Sequence, residues 1–485
     1  MHQRYSQLKT SFHQNVLSKI SPTRDHSSSG RSIDTNPYFI ELKSHIKWCQ
    51  ERLSVLLQST WGSDLKSIAN ELETHQKEHR VNDQYHRNIL QVERNHVHYH
   101  GEEVALFQQA LNQLKKVYAE LLSLSTKRLT DLDTLYDFMT TANDELNWLN
   151  DRENIELNRD WSDTSMDLGV LNDEYKIFVS DFNARDRQMK STLEKGEHLL
   201  GQHPASKLVS SYMQQLQEQR SWIYQLIHCF EVHFKHLAEY QNYFNDIAEQ
   251  KEWLVVRKDL LDNKYSDNDF NLDRGDILLR GMQSIREELN QFSSVIDKLD
   301  KRAQSIVPLK ERSQLSSNRS YVVQSLCTYK QENTIVLEKG ETVQLMDVSG
   351  QTNWTIRGAK GNDSSIPSVC LMIPPPNNEA TELIEKLKLS LEKMVELWQT
   401  KQIRLRQNMI FATVRVVKEW SFEHFLALGY EQRTTIRRAL NDDSDKVLYE
   451  SDPNDPRLIR LKQEMIEVNR LLEEFEKRAN NDGKL

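Results

Sequence analysis

Apolar residues recur every three or four positions along most of the chain. Leu106, Ala110, Leu114, Val117, Leu121 and Leu124 mark one such stripe. Trp222, Leu226, Phe230, Phe234 and Leu237 mark a second, and Leu383, Leu387, Leu391, Met394 and Trp398 a third. This period puts one apolar face along a helix and predicts the seam of a coiled helical bundle. The stripes stop where turns are needed: at Gly201-Gln202-His203-Pro204-Ala205-Ser206, at Ser266-Asp267-Asn268-Asp269 and at Asp452-Pro453-Asn454-Asp455-Pro456. Ser206 and Asp269 are the candidate caps of the helices that follow. Asn36-Pro37 opens the first long helix, with Pro37 in its first turn. Before it, the run from Ser21 to Ser32 is small, polar and broken by Pro and Gly, which predicts a flexible tail over 1–35.

One stretch departs from the helical period. Tyr321 to Tyr329 is rich in β-formers, and Glu338-Lys339-Gly340-Glu341 has turn chemistry, with Gly340 free to take positive φ. Thr342 to Met346 alternates polar and apolar residues, the period of a half-buried strand. Trp354-Thr355-Ile356 is a third strand, Gly358 and Gly361 form a loop, and Ser365 to Ile373 closes the stretch. Several short strands so close together predict a small β-barrel over 316–376.

Tryptophans mark an internal repeat. Trp48, Trp148 and Trp253 sit in similar helical runs about a hundred residues apart, and Trp61 and Trp161 follow the first two at equal distance. Trp420 falls at the next interval once the barrel is subtracted. The barrel therefore interrupts one member of a regular series. Trp48, Trp148, Trp222, Trp253, Trp398 and Trp420 are expected to anchor the repeat cores.

A repeat of this length with Trp in its first helix resembles the spectrin repeat, a three-helix coiled bundle. The expected repeats are 36–145, 146–250, and 251–315 with 377–402 split by the insertion. A partial repeat over 403–485 is expected to leave one apolar face open. The barrel resembles an SH3 domain: Ser325-Leu326-Cys327-Thr328-Tyr329 stands at the A-L-x-D-Y segment, Lys339-Gly340-Glu341 at the diverging turn, Asn353-Trp354 at the Trp pair and Pro367-Ser368-Val369-Cys370 at the closing P-S-x-Y. The ligand face implied by this resemblance is Cys327, Tyr329, Glu332, Asn353, Trp354, Pro367 and Cys370. Three of its aromatic positions have become Cys327, Asn353 and Cys370, so a working polyproline groove is not expected. The fold class is mainly α, with tandem three-helix spectrin-type repeats and one inserted all-β SH3-like barrel.

The combination resembles the plakin domain of the plakin cytolinkers. Gln202-His203-Pro204-Ala205-Ser206 with Ser221-Trp222-Ile223 is similar to the family's H-P-A-S…W-S-W stretch, and Trp148-Leu149-Asn150-Asp151 with Asp160-Trp161-Ser162-Asp163 to its W-I-N-x…D-W-S-D stretch. Cys327-Thr328-Tyr329-Lys330-Gln331 and Pro367-Ser368-Val369-Cys370, followed by Pro374-Pro375-Pro376-Asn377, are similar to the start and end of its SH3 domain. With no calponin-homology pair ahead of the repeats, the desmoplakin, envoplakin and periplakin branch is expected. The resemblance implies a structural cytolinker at the cytoplasmic side of cell junctions of desmosome or hemidesmosome type, joining plaque proteins to the cytoskeleton and its intermediate filaments. In the family that filament contact comes from a long heptad rod and C-terminal plakin repeats, which are not in this sequence. The resemblance also implies that the barrel docks on the repeat carrying Trp222 and Phe234.

Composition agrees with long exposed helices: 14 glycines in 485 residues and 28% charged residues. The net charge of -9 mixes both signs, which offers no basic patch for nucleic acid. No apolar run approaches the ~20 residues of a membrane span, so no direct membrane insertion is expected, and Met1 to Ile20 lacks the apolar core of a signal peptide. Cys49, Cys229, Cys327 and Cys370 show no CxxC spacing, which fits free thiols in a reducing compartment. A disulfide between Cys327 and Cys370, facing across the barrel, is the alternative. His96-x-His98-x-His100, in a helical setting, reads as a solvated face, and His75 with His79 lacks partner carboxylates for a metal. Asp442-Asp443-x-Asp445 lacks the Gly and closing Glu of a calcium loop. Pro374-Pro375-Pro376 reads as a stiff exit from the barrel. No phosphate loop, nucleophile elbow or catalytic acid pair appears, so no enzyme activity, cofactor or metal is expected. The alternative function is a signalling adaptor whose SH3 module binds proline-rich partners.

Overall fold

The computed structural model describes residues 33–201, 203–266, 269–313, 321–331, 334–348, 350, 352–358 and 361–482. The chain divides into two compact units, 1–159 with 169–230, and 160–168 with 231–485. Residues 1–32 of the expected tail lie outside the described residues, as do Gln202, Asp267 and Asn268 of the expected turns. Ile33, placed in that tail, is instead buried in the first core, and Asp34 pairs with Lys43 at 2.7 Å.

The first unit holds α1 (Pro37–Gln58), α2 (Leu65–Gln84), α3 (His86–Arg94), α4 (Glu102–Leu157), α5 (Leu168–Leu200) from Gly169 on, and the first part of α6 (Ser206–Lys264). Asn36 caps α1 by accepting from the Tyr38 amide, with Pro37 in the first turn as expected. Helices α1 and α2 pack along α4. The α4 stripe lies one residue from the expected one along part of its length. Phe107, Leu111, Leu114, Tyr118 and Leu121 are buried, whereas Leu106 is 43% exposed. Two apolar stripes run side by side here, and the one holding the aromatic rings buries more area.

Helix α4 continues through the expected boundary at 145 to serve a second bundle with α5 and α6. Phe138, Leu146 and Leu149 of α4 are buried there, as are Phe178 and Phe182 of α5 and Val209, Leu216 and Ile223 of α6. Gly196 lets α5 and α6 meet closely. A Cβ at this position would lie 2.5 Å from Met213 Sδ and 2.9 Å from the Phe138 ring.

The second unit holds the loop 160–168, the rest of α6, α7 (Leu272–Ala303), the β module and α8 (Asn378–Lys418), followed by α9 (Phe422–Ala427), α10 (Tyr430–Glu450) and α11 (Pro456–Asp482). Helix α7 buries a regular stripe of Leu278, Met282, Ile285, Leu289, Phe292, Ile296 and Leu299. Asn271, not Asp269, caps it by accepting from the Arg274 amide at 3.0 Å; Asp269 pairs with Arg415 instead. Helix α8 packs along α7. Beyond residue 403 the chain closes a bundle rather than leaving a face open. The end of α8, α10 and α11 bury Ile410, Val414, Leu440, Val447, Leu461 and Val468 around Phe425 of α9. The expected boundary cut α8 in the middle, which hid the third helix.

The β module has strands β1 (Tyr321–Ser325), β2 (Tyr329–Gln331), β3 (Thr334–Leu337), β4 (Thr342–Asp347), β5 (Asn353–Arg357), β6 (Asp363–Pro367) and β7 (Leu371–Met372). Five form an antiparallel sheet in the order β6-β5-β4-β1-β7, while β2 and β3 form a hairpin. Gly340 takes φ 84° in the turn before β4, and its amide donates to the Ser325 carbonyl at 2.8 Å. Among the described residues no helix is long and apolar enough to cross a membrane.

A side chain at Gly196 should therefore destabilise the second bundle. Helix propensity favours any ordinary residue over Gly by up to ~1 kcal/mol, but overpacking against Met213 and Phe138 costs about 1–3 kcal/mol. Gly196→Leu is expected to lower the urea midpoint, and a midpoint equal to or above that of the unmodified chain would refute the close packing.

Candidate functional site

The candidate site is the degenerate ligand face and the elements gathered against it within the second unit. Cys327 follows β1, and Cys370 ends the short turn Ser368–Cys370 between β6 and β7. Neither is in a disulfide and both are fully buried, with their sulfurs within 4.8 Å. Asn353 is exposed at the start of β5, opposite Pro367 in the sheet register. Trp354 is buried beside Ile356, on the inward-facing side of β5. Pro367 is buried and Tyr329 half-buried, while Glu332 lies outside the described residues.

Two polar residues from outside the sheet hold this region. Arg312, in the short turn Lys310–Arg312, donates to the Leu371 carbonyl at 2.7 Å and the Ser368 carbonyl at 2.8 Å. Its guanidinium lies 4.6 Å from the centre of the Trp354 ring. Burial pulls its pKa down to about 10, and the Asp160 carboxylate acts against that shift, so the cation persists at neutral pH. From α6, His233 Nε2–H donates to the Val369 carbonyl at 2.8 Å. The His233 ring stacks on Trp161 with centroids 5.0 Å apart. Trp161 is 2% exposed and sits in the loop 160–168, which Gln241 fixes by donating to the Thr164 and Met166 carbonyls at 2.9 and 2.8 Å. Burial, followed by the charge on Arg312, drives His233 well below the ordinary imidazole range, so the ring is neutral.

The tethers of the module meet. Asn377 caps α8 by accepting from the Ala380 amide at 3.0 Å and donates to the Val307 carbonyl at 3.4 Å. Lys310 pairs with Glu379 at 3.0 Å, and Tyr243 donates to the Ala380 carbonyl at 3.2 Å. Sequence reasoning passed over His233 and Arg312, and noted Trp161 only as a marker of the repeat and inside a motif. The His233 contact spans 136 residues, for which local patterning has no signal.

The tryptophans named as anchors have varied settings. Trp398 is buried and donates to the Met282 carbonyl at 2.9 Å. The others are half-buried. Trp48 stacks on Tyr85, Trp148 lies by Phe182, Trp253 stacks on Phe292, and Trp222 donates to Glu153 at 2.7 Å. Trp420 lies against the C-terminal core. His96, His98 and His100 are exposed, as expected of a solvated face, although His96 and His98 lie in a short 3-10 turn rather than an α-helix, with His98 stacked on Tyr38. His75 is buried and bonds the Ser125 carbonyl at 2.8 Å, while His79 bonds the Ser125 hydroxyl at 2.9 Å.

Comparison with known proteins agrees with this architecture. Residues 133–228 match the spectrin repeat, 241–307 a spectrin-like repeat and 308–374 the SH3 domain. Mouse microtubule-actin cross-linking factor 1 is 29% identical over 419 residues, which is 84% of this chain and 6% of that protein. The rat protein of that name is 30% identical over 391 residues, covering 78% of this chain and 7% of its own length. Zebrafish (Danio rerio) desmoplakin-A is 26% identical over 404 residues, covering 81% and 19%. The chain thus spans less than a fifth of the length of these relatives. A crystal structure of a rigid four-spectrin-repeat fragment of the human desmoplakin plakin domain has the same fold. Its TM-score is 0.70 at 24% identity, over 90% of this chain and 97% of that one. The chain is an array of spectrin repeats with an SH3 domain inserted in it. It belongs to the plakin family. Relatives of both names match, so these matches do not favour the branch expected from the sequence.

The neutral His233 ring has a consequence for pH dependence. Its folded-state pKa is lowered, so below about pH 6.5 the unfolded chain takes up a proton that the folded chain refuses. Stability is full above that pH and falls as pH drops, by up to about 1.4 kcal/mol per pH unit for each such imidazole. His75 and His203, lowered mainly by burial, act in the same direction. The urea midpoint is expected to fall between pH 7.5 and 5.5, and less so in His233→Gln. An equal fall in the two proteins would exclude His233 as a contributor.

Proposed function

We propose that this chain is a non-enzymatic scaffold of the plakin type. It would link membrane complexes at cell junctions to the cytoskeleton, with plaque proteins and intermediate filaments as partners, at the cytoplasmic side of desmosome- or hemidesmosome-like contacts. The observation that carries the reading is the β module set between α7 and α8 of one helical repeat, in a chain whose relatives include a cross-linking factor and a desmoplakin. Its geometry suits mechanical coupling: the helices are long and helix-shared repeats pass stress along the chain. A fluorescently tagged chain expressed in epithelial cells is expected to concentrate at cell–cell borders. A uniform distribution through the cell would refute the junctional role.

In this reading the SH3 module is docked and its ligand face impaired. Support comes from the His233 bond to Val369, the Arg312 bonds to Ser368 and Leu371, and the burial of Cys327 and Cys370 where groove aromatics are expected. Truncating Arg312 removes a charged donor from the Leu371 and Ser368 carbonyls, of which Ser368 keeps the Leu371 amide, a cost of about 1–3 kcal/mol. Amide hydrogen exchange at Leu326, Cys327 and Cys370 is expected to speed up in Arg312→Ala, with the helices of the first unit unaffected. Equal exchange in the two chains would mean that the module is an independent bead. Titration of the unmodified chain with proline-rich peptides is expected to show no saturable binding, and micromolar binding would favour the signalling-adaptor reading.

A further inference from the structure

Helices α4 and α5 run antiparallel, and three contacts set their register. Arg159 pairs with Glu174 at 2.9 Å, the Arg152 guanidinium lies 3.9 Å from the centre of the Phe178 ring, and Arg185 pairs with Glu145 at 3.2 Å. Helix α6 packs on one side of the two, where Trp222 donates to Glu153 and Phe230 stacks on Tyr175. At about 100° per residue, Ile155 is turned away from Glu153, and Val170 and Ile177 are turned away from Tyr175. All three therefore line the side opposite α6, and they are 50, 57 and 61% exposed. Trp148, half-buried, stands seven residues before Ile155, and Ile177 seven after Val170. These are the paired rows that receive a further helix in a coiled bundle.

The groove between the rows continues down both helices. About five turns separate Asp137 from Ile155 and Ile177 from Lys195, so each pair lies on one line. Asp137 and Lys195 meet across the groove at 2.9 Å. Here it opens into a cavity of about 500 Å³ with Phe138 and Leu199 in its lining. Asp131 and Asp133 line it too, and neither forms an ion pair among the described residues. The groove is thus apolar at one end and carries uncompensated negative charge at the other.

We propose that this outer groove of α4 and α5 is the docking site for an amphipathic helix of a partner protein, apolar along one face and bearing Lys or Arg at the end over Asp131 and Asp133. From Asp131 to Ile155 the groove runs about 36 Å, which takes a helix of about 24 residues. Its apolar rows supply the contact area. Its acidic end sets the direction, because only one orientation brings the basic end of the helix to those carboxylates. An acidic helix is repelled there. The site goes beyond the scaffold reading and does not depend on the docked SH3 module.

The test titrates the full chain with fluorescein-labelled helical peptides of about 24 residues, with Leu at the heptad core positions and Lys at one end. Saturable binding is expected, roughly tenfold weaker when Glu replaces those lysines. In Ile155→Glu/Ile177→Glu the Lys peptide is expected to bind at least tenfold more weakly. Both side chains are exposed, so this variant keeps its fold, which melting curves verify. Asp131→Asn/Asp133→Asn, independent of the apolar rows, is expected to erase the preference for Lys over Glu. Equal binding by the unmodified chain and the isoleucine variant overturns the groove, as does the absence of saturable binding by either peptide. A Lys preference that survives the aspartate variant overturns the role of the acidic end. Sedimentation of the chain alone tests the other occupant: self-association abolished by Ile155→Glu/Ile177→Glu means that a second copy covers the groove, and it overturns the partner helix.

Discussion

An insertion in a helical repeat has to leave and return at one place, or the helices it interrupts cannot pack. Much of the second unit depends on that constraint. Asn377 meets it with one side chain, capping α8 while bonding the Val307 carbonyl on the outgoing segment. Lys310 and Glu379 pair across the same gap. The outgoing segment also carries Arg312, so the stretch that leaves the helical repeat begins the anchoring of the barrel. The Tyr243 bond to the Ala380 carbonyl ties α6 to the same junction.

The electrostatics of this junction follow from its position. A buried cation is costly unless its donors are satisfied. Arg312 meets backbone carbonyls and the face of Trp354 rather than a close carboxylate. Burial, and after it that nearby charge, keeps the imidazole on α6 neutral, so it serves as a simple N–H donor. His233 therefore works by geometry, and its bond to Val369 is a polar contact in a dry setting.

The helical part and the inserted strands were legible in the sequence because both are written in local periodicity. The α7 stripe from Leu278 to Leu299 is regular over its length. Less local features were not legible. The choice between Leu106 and Phe107 depends on which of two adjacent stripes meets α1 and α2. The closed C-terminal bundle was missed because helices serve two bundles at once, and a boundary drawn at 403 removes half of α8 from one of them. At the candidate site the altered groove positions could be named from the resemblance, since Cys327, Asn353 and Cys370 stand within recognisable segments. What covers them could not be named. His233 and Val369 are brought together by tertiary packing alone.

The order of contacts along α7 and α8 determines how that pair responds to tension. From the open end inward the pairs are Asp269 with Arg415, Met282 with Trp398, Asp300 with Lys388, and finally Lys310 with Glu379. This is an antiparallel hairpin with the barrel at its closed end. Pulling the chain apart at Leu272 and Lys418 loads it in an unzipping direction, one rung at a time. The barrel is covalently in series with the load but shielded from it until the last rung gives way. Under such a pull the SH3 module is the last part of the hairpin to be loaded.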